Sequence, residues 1–215
     1  GTSAASSLAV DLIDNIGFNG NTSTNTLSIC EGTMGTTISG AGAPSSPTYN
    51  WQVSTTSPSS GFSTASNGTN NDEDYTVDND YYDNPGTYYF RRVISSSTTA
   101  CDGISDVVTL TVNANPAPVI SVDESSGTPD NGTICNGASV TLDAGLFNSY
   151  NWSPGGATSQ TINVSPSSTT TYSVTVTNAA GCSGTDNQVI TVNPVPVINS
   201  ISATPPSISC GGSSV

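Results

Sequence analysis

The sequence predicts an all-β protein made of tandem immunoglobulin-like β-sandwiches. Strand-forming Val, Ile, Thr and Tyr alternate with small polar residues, whereas helix formers are scarce, since the chain has no Lys and one Met. Short apolar segments recur about every 8–12 residues between Gly, Pro, Asn and Ser, which is typical of a sandwich. The same order of cysteine, tryptophan and tyrosine motifs occurs twice, which indicates two copies of one domain.

The composition excludes several classes of function. The 215 residues carry a formal charge of −14, with two cations and no histidine. A nucleic-acid binder or a polybasic membrane-surface protein needs a cationic face, and histidine-based catalysis or metal ligation needs histidine. No apolar run approaches the roughly 18 residues of a membrane-spanning helix. Only 33 % of residues are hydrophobic, but just 8 % are charged and strand patterns are frequent, so we expect a folded chain.

A repeat organises the chain. Residues 133–196 contain TICNG, SYNWSPGG, TTTYSVTVTNAAGC and DNQVITVNPVP, and residues 28–118 show the same order with a long middle insertion. The pattern starts again at 208–215, ISCGGSSV. We therefore predict three units: an immunoglobulin-like sandwich with a long acidic insertion at 1–117, a second sandwich at 118–195, and the start of a third, incomplete unit at 196–215.

Short Pro-x-Pro elements join these units, Pro116-Ala117-Pro118 and Pro194-Val195-Pro196. Proline fixes its own φ and restrains the preceding residue, so such joints are extended and stiff. The sequence thus predicts a rod of linked sandwiches.

Four aromatic residues are the expected core anchors of the two units. Trp51 and Trp152 each lie in a Tyr-Asn-Trp motif, where a sandwich buries a tryptophan on its third strand. Tyr88 and Tyr172 lie on the later tyrosine-rich strand and are expected at equivalent positions. A ligand-stacking role for the tryptophans is the alternative.

The motif order resembles a known group of repeats. Cys-x-Gly, Tyr-Asn-Trp-Ser-Pro, Thr-Thr-Thr-Tyr-Ser-Val-Thr-Val-Thr-Asn and Gly-Cys are similar to the Ig-like and PKD-like repeats of giant Bacteroidota surface proteins. The resemblance covers the whole second unit and both ends of the first. It implies export, often by the type IX route, and a role in adhesins or gliding filaments.

Cysteines fall at matching places in the two complete units. We predict disulfides Cys30–Cys101 and Cys135–Cys182, each stapling one end of its own sandwich. Free buried thiols and metal ligation are the alternatives. Cys210 stands where Cys30 and Cys135 stand in their units, so its partner is expected beyond Val215 in a continuing third unit.

The acidic insertion of the first unit carries a candidate calcium site. Hard cations bind several carboxylate, amide and carbonyl oxygens, although the spacing here matches no EF-hand. A solvated acidic loop is the alternative. The candidate ligands are Asp72, Glu73, Asp74, Asp78, Asp80 and Asp83.

The arginines and two tyrosines are candidate contact residues. Arg91 and Arg92 point to opposite faces of a strand, and we expect pairing with a carboxylate of the insertion or contact with a partner chain. Tyr81 and Tyr82 are candidate surface contacts, because exposed aromatic rings stack on sugars. The apolar stretch Leu8–Phe18 is a candidate exposed edge for pairing with another chain.

These features predict a structural and adhesive repeat segment of a large secreted or cell-surface bacterial filament or adhesin, located outside the cell and not an enzyme. The expected partners are other copies or neighbouring repeats, with surface glycans as a further candidate, and without nucleic acid or membrane insertion. Calcium is the one candidate cofactor. The alternative is an accessory, carbohydrate-binding Ig-like module of a secreted polysaccharide hydrolase.

Overall fold

The computed structural model describes residues 16–18, 25–40, 47–66, 69–96, 103–127, 130–197 and 199–200. Unit one, as used below, contains the strands between residues 16 and 113, and unit two those between residues 121 and 193. No hydrogen-bonded ladder among the described strands joins the two units. The domain limits at 117 and 195 stay predictions, and the start of the third unit at 201–215 lies outside the described residues.

Unit one is a two-sheet sandwich. Its elements are β1 (Ile16–Phe18), β2 (Thr26–Cys30), β3 (Thr37–Gly40), β4 (Pro47–Ser54), β5 (Ser63–Thr64), β6 (Tyr75–Thr76), α1 (Asn79–Tyr82), β7 (Gly86–Ser96), β8 (Gly103–Ile104) and β9 (Val108–Asn113). One sheet has the order β1-β3-β6, and the other has β2-β9-β7-β4-β5 with β8 paired to β7. The β2–β9 pair is parallel, whereas the other ladders are antiparallel.

Unit two repeats this plan without the insertion. Its strands are β10 (Ser121–Glu124), β11 (Thr133–Cys135), β12 (Val140–Asp143), β13 (Ser149–Ser153), β14 (Thr161–Val164), β15 (Thr170–Thr177) and β16 (Ser183–Asn193). The sheets are β10-β12-β14 and β11-β16-β15-β13, and β11 again runs parallel to its neighbour β16. The prediction of an all-β chain of immunoglobulin-like sandwiches is confirmed.

The predicted core anchors are buried. Trp51 and Trp152 are 0 % and 1 % exposed, and Tyr88 and Tyr172 are buried in the same two cores. Each indole N–H finds a main-chain oxygen, at 3.0 Å on Asp72 and 2.9 Å on Ser159. A buried tryptophan needs such a partner for its polar nitrogen.

The expected equivalence of Tyr88 in unit one with Tyr172 in unit two is wrong by two residues. Trp51 pairs with Arg92 and Trp152 with Val174, so Phe90 is the counterpart of Tyr172. Tyr88 instead donates its hydroxyl proton to Asn84 O at 2.8 Å, four residues upstream. This is the arrangement of a tyrosine corner.

Tyr81 is wrong as a surface contact, because α1 turns its ring into the core. It is 7 % exposed and packs edge-on against Tyr88 and Phe90, at 5.2 and 5.3 Å between centroids. Its hydroxyl oxygen accepts hydrogen bonds from Ser66 N and Oγ. Tyr82 is half-buried and packs against the same core.

The expected carboxylate partner is wrong for Arg91, whereas Arg92 contacts the acidic insertion. Arg91 donates from Nε to Gln52 Oε1 at 2.8 Å and lies 3.9 Å from the centroid of Phe62, so its partner is an amide and an aromatic ring. Arg92 is fully buried and meets the acidic insertion through a main-chain oxygen, Glu73 O, at 2.6 Å.

The structure describes only the last three residues of the stretch Leu8–Phe18 that is predicted as an exposed edge. Residues 8–15 lie outside the described residues, and Ile16–Phe18 form β1, at one edge of the smaller sheet of unit one. Ile16 is buried in the core of that unit. Among the described residues, none of the helices has the length and apolar character needed to span a membrane.

Candidate functional site at the joint between the units

A disulfide joins the two units. Cys30, at the end of β2, bonds to Cys182, in the turn between β15 and β16, with Cα atoms 5.5 Å apart. The predicted pairs Cys30–Cys101 and Cys135–Cys182 are therefore wrong. Cys135 is an exposed free thiol, and Cys101 and Cys210 lie outside the described residues.

The strand topology explains why Cys135 and Cys182 cannot pair. Cys135 lies opposite Asn193, the last residue of β16, whereas Cys182 directly precedes the first residue of that strand. An eleven-residue strand separates its ends by roughly 35 Å, at about 3.3 Å per residue. A disulfide needs Cα atoms within about 7 Å. The two cysteines of unit two thus lie at opposite ends of the sandwich.

The side chain of Asn178 shapes the turn that presents Cys182. Its Oδ1 accepts the amide hydrogens of Ala180 and Cys182, both at 3.0 Å, and the main-chain N–H of Asn178 donates to Cys182 O at 2.9 Å. Gly181, with φ of +85°, completes the turn in a conformation that glycine adopts without strain. Cys182 is consequently held in one orientation, and it is 1 % exposed.

The same turn also contacts the linker. Asn178 Nδ2 donates to Ala114 O at 3.0 Å, and Cys182 Sγ lies 3.9 Å from Asn113 O. Gly184 packs against Pro116 so closely that a Cβ atom there would lie 1.8 Å from the proline carbonyl oxygen. Only glycine fits at this position without moving the linker.

The linker is fixed at both of its ends. On the side of unit one, Asn115 Nδ2 donates to Glu31 O at 3.1 Å, and Asn113 Nδ2 donates to Ile29 O at 3.0 Å. On the side of unit two, the Ile120 amide donates to Asp186 Oδ2 at 2.8 Å. Together with the disulfide, these contacts make the joint a packed element rather than a loose tether.

The acidic insertion does not form a metal centre in the described residues. All six candidate carboxylates are described, and no three Asp, Glu or Cys side chains of the described part come together in an arrangement that could hold an ion. Asp78 caps α1 by accepting the Asp80 amide at 3.0 Å. The insertion also gives main-chain oxygens to Trp51 and Arg92. Calcium binding stays a prediction.

Tyrosines in both units have raised pKa values. Burial, with the nearby Tyr81 and Asp78 charges, raises the pKa of Tyr75 well above its ordinary value of about 10. Burial also raises the pKa of Tyr88 and of Tyr172. Tyr75 donates its hydroxyl proton to Ser66 O at 2.9 Å, so these phenols are structural groups of the two cores.

Comparison with known protein families gives one match. The family described as "Domain of unknown function (DUF8696)" matches residues 19–114, which covers most of unit one and ends one residue after β9. No curated protein matches the sequence.

The similar solved structures include an adhesin, a protein with Ig domains and a protein in complex with a heptasaccharide. A 1.5-MDa bacterial ice-binding adhesin has 14 % identity and a TM-score of 0.37 over 85 % of this chain and 65 % of its own. The N-terminal four Ig domains of Dscam1 isoform 6.44 have 11 % identity and a TM-score of 0.32, over 79 % of this chain and 43 % of their own. The third structure is SGBP-B of the Bacteroides ovatus mixed-linkage glucan utilization locus, in complex with a mixed-linkage heptasaccharide. It has 12 % identity and a TM-score of 0.31, over 78 % of this chain and 43 % of its own. The present chain thus covers less than two thirds of each of these three structures. The fold and the joint define it as a tandem immunoglobulin-like protein whose units are covalently linked.

Proposed function

We propose that this chain is a tension-bearing repeat segment of a large exported bacterial surface filament or adhesin. The observation that carries the proposal is the Cys30–Cys182 disulfide, which connects the two sandwiches at their joint. Structural disulfides persist in oxidising compartments, which supports a location outside the cell. The outward polar faces of the sheets are the proposed contact surfaces for neighbouring repeats or surface glycans.

The bridge changes the path of a pulling force. Tension applied at the two ends of the chain reaches Cys30 from the N-terminal side and Cys182 from the C-terminal side. The covalent bond then carries the load between them, and the residues from 31 to 181 lie in a closed loop that is not stretched. That loop contains the linker and every strand from β3 to β15. The strands β1, β2 and β16 lie outside that loop and are on the path of the force.

Single-molecule force spectroscopy on the full chain, tethered by its termini, tests this role. The sequence separation of 152 corresponds to roughly 500–550 Å of extended chain, at about 3.3–3.6 Å per residue. We expect the oxidised chain to reach a final contour length shorter by that amount than the reduced chain. Equal lengths in the two states would contradict the proposal.

Two variants control the experiment. Cys30→Ser with Cys182→Ser should give the same final contour length with and without reductant, since the Cys30–Cys182 bridge cannot form. Cys135→Ser removes the exposed free thiol and should behave as the parent chain does in both conditions.

A further inference from the structure

We propose that Cys135 is the covalent attachment point for a further sandwich unit that follows unit two. The occupant that we assign to it is a turn of the kind found at Asn178–Cys182, which presents a cysteine next to a packed linker. The inference deepens the proposed function, on which it rests, because it extends the bridged joint from one pair of units to the next.

Cys30 and Cys135 occupy the same place in their units. Cys30 ends β2 opposite Asn113 of the parallel strand β9, and Cys135 ends β11 opposite Asn193 of the parallel strand β16. In both units the amide after the cysteine donates to the carbonyl of that asparagine over 2.9 Å: Glu31 to Asn113, and Asn136 to Asn193. The backbone that holds the bonded cysteine is thus reproduced at the free one.

The turn that follows each cysteine is also the same. The carbonyl oxygen of Cys30 accepts the Thr33 amide at 3.0 Å, and that of Cys135 accepts the Ala138 amide at 2.9 Å. The glycine two residues after each cysteine has a positive φ, +80° at Gly32 and +92° at Gly137. Both cysteines are therefore presented at the end of the sandwich where the linker to the next unit leaves.

The two cysteines differ in their bonding partners. Cys30 meets the turn of unit two and is bonded, whereas Cys135 is exposed and has a free thiol. Cys135 cannot bond within unit two, because Cys182 lies at the other end of β16 and is already bonded. The partner that the observed joint defines is the Cys182-like residue of another unit, placed by a Pro-x-Pro linker such as Pro194–Pro196.

The chemistry is a two-electron oxidation of two thiols. A small disulfide such as oxidised glutathione reacts first with the Cys135 thiolate, forming a mixed disulfide and releasing one glutathione thiol. The thiolate of the incoming turn then attacks the Cys135 sulfur and releases the second glutathione thiol. Two protein thiols and one glutathione disulfide give one protein disulfide and two glutathione thiols.

A chain of residues 1–215 with residues 119–196 duplicated in tandem supplies a Cys182-like partner for Cys135. The second copy then follows the natural linker Pro194–Pro196. This linker is two residues shorter than the one between unit one and unit two, since Pro196 is the third residue after β16 whereas Pro118 is the fifth after β9. The copy carries Asn136→Gln and Ala180→Ser at two exposed positions near its cysteines, so that its peptides differ in mass from those of unit two. After folding with oxidised glutathione, the protein is digested without reduction and its linked peptides are identified by mass spectrometry. We expect Cys30 linked to Cys182, and Cys135 linked to the Cys182 of the copy, with the Cys135 of the copy as a free thiol.

Each other result overturns the proposal. Both Cys135 and the Cys182 of the copy found as thiols, or either one linked to any other cysteine, contradicts the assignment. The Cys30–Cys182 peptide in the same digest shows that the joint has folded, and its absence contradicts the geometry on which the proposal rests.

A matched control separates this inference from the proposed function. Cys135→Ser in the duplicated chain should leave the Cys182 of the copy free for alkylation without changing the Cys30–Cys182 link. Failure of the second link would leave the force response of the first bridge unaltered, whereas failure of the force experiment concerns Cys30 and Cys182 alone.

Discussion

In unit one the residue opposite the core tryptophan on the neighbouring strand is Arg92, and in unit two it is Val174. Both side chains are fully buried. A valine needs only apolar neighbours there, whereas a guanidinium needs hydrogen-bond acceptors to offset the loss of water. The same frame therefore holds two different cores.

The connection after the tryptophan strand accounts for the difference. In unit two the indole of Trp152 bonds to Ser159, seven residues on, whereas in unit one the indole of Trp51 bonds to Asp72, twenty-one residues on. The longer connection brings Glu73 O to the guanidinium of Arg92. The rings of Tyr49 and Trp51 lie 4.9 and 5.6 Å from its central carbon, within reach of cation–π attraction.

The comparison teaches that the insertion is part of the core of unit one. It contributes Tyr75 and Tyr81, whose rings pack against Trp51 and Phe90. Unit two has no such layer and fills its core with aliphatic residues around Trp152 and Tyr172. An acidic sequence with many tyrosines thus serves packing through its aromatic rings and its main chain.

Removing the buried guanidinium should have the largest effect. We expect Arg92→Ala to lower the free energy of unfolding of unit one by about 3–5 kcal/mol, because it leaves a cavity and unpaired carbonyl oxygens. Hydrogen exchange resolved by unit, together with urea unfolding, measures this. Unit two should be unaffected, and Arg91→Ala on the outer face should cost less than about 1 kcal/mol. A loss below that value for Arg92→Ala would show that the insertion does not depend on the arginine.

A methyl group at Gly40 should have the next largest effect. A Cβ atom there would lie 2.1–2.4 Å from the guanidinium atoms of Arg92, so Gly40→Ala should destabilise unit one by about 1–3 kcal/mol through overpacking. Gly86→Ala is the matched control, since its nearest contact is an ordinary 3.6 Å to Tyr88. In urea unfolding of the double variant, the Gly40→Ala penalty should shrink once Arg92 is alanine. Additive losses would contradict the contact.

The smallest expected effect is a difference between the two units in how much folding stability they lose at alkaline pH. The raised pKa values of Tyr75 and Tyr88 in unit one, and of Tyr172 in unit two, favour the protonated phenol in the folded state. Stability is fully present below the unfolded pKa of about 10 and is lost as pH rises from there through the folded pKa. Unit one, with Tyr75 and Tyr88, should therefore lose more stability than unit two between about pH 9 and pH 11, which is the range in which free tyrosine ionises.

Urea unfolding followed by hydrogen exchange at those pH values measures the effect. The Cys135→Ser background prevents thiolate attack on the bridge at high pH. Tyr75→Phe should flatten the pH dependence of unit one and leave that of unit two unchanged. Equal losses in both units would show that burial of Tyr75 does not control the response.

Burial in the strands could be predicted from sequence because it depends on a period of two. The expected alignment of Tyr88 with Tyr172 was two residues out of register, yet both are buried, since a shift of two keeps a residue on the same face. The helical turn α1 interrupts that period, and for this reason the buried position of Tyr81 could not be read from alternation.

The sequence by itself determined the sandwich class, the repeat and the buried tryptophans, because alternation and motif order are local properties of the chain. Only the tertiary structure decided which cysteines bond. Disulfide formation depends on Cα atoms coming within about 7 Å, and the length of β16 keeps Cys135 far from Cys182 while the packed linker brings Cys30 to it. Spacing along the chain cannot report a distance that strand direction and the packing of one unit on the next create.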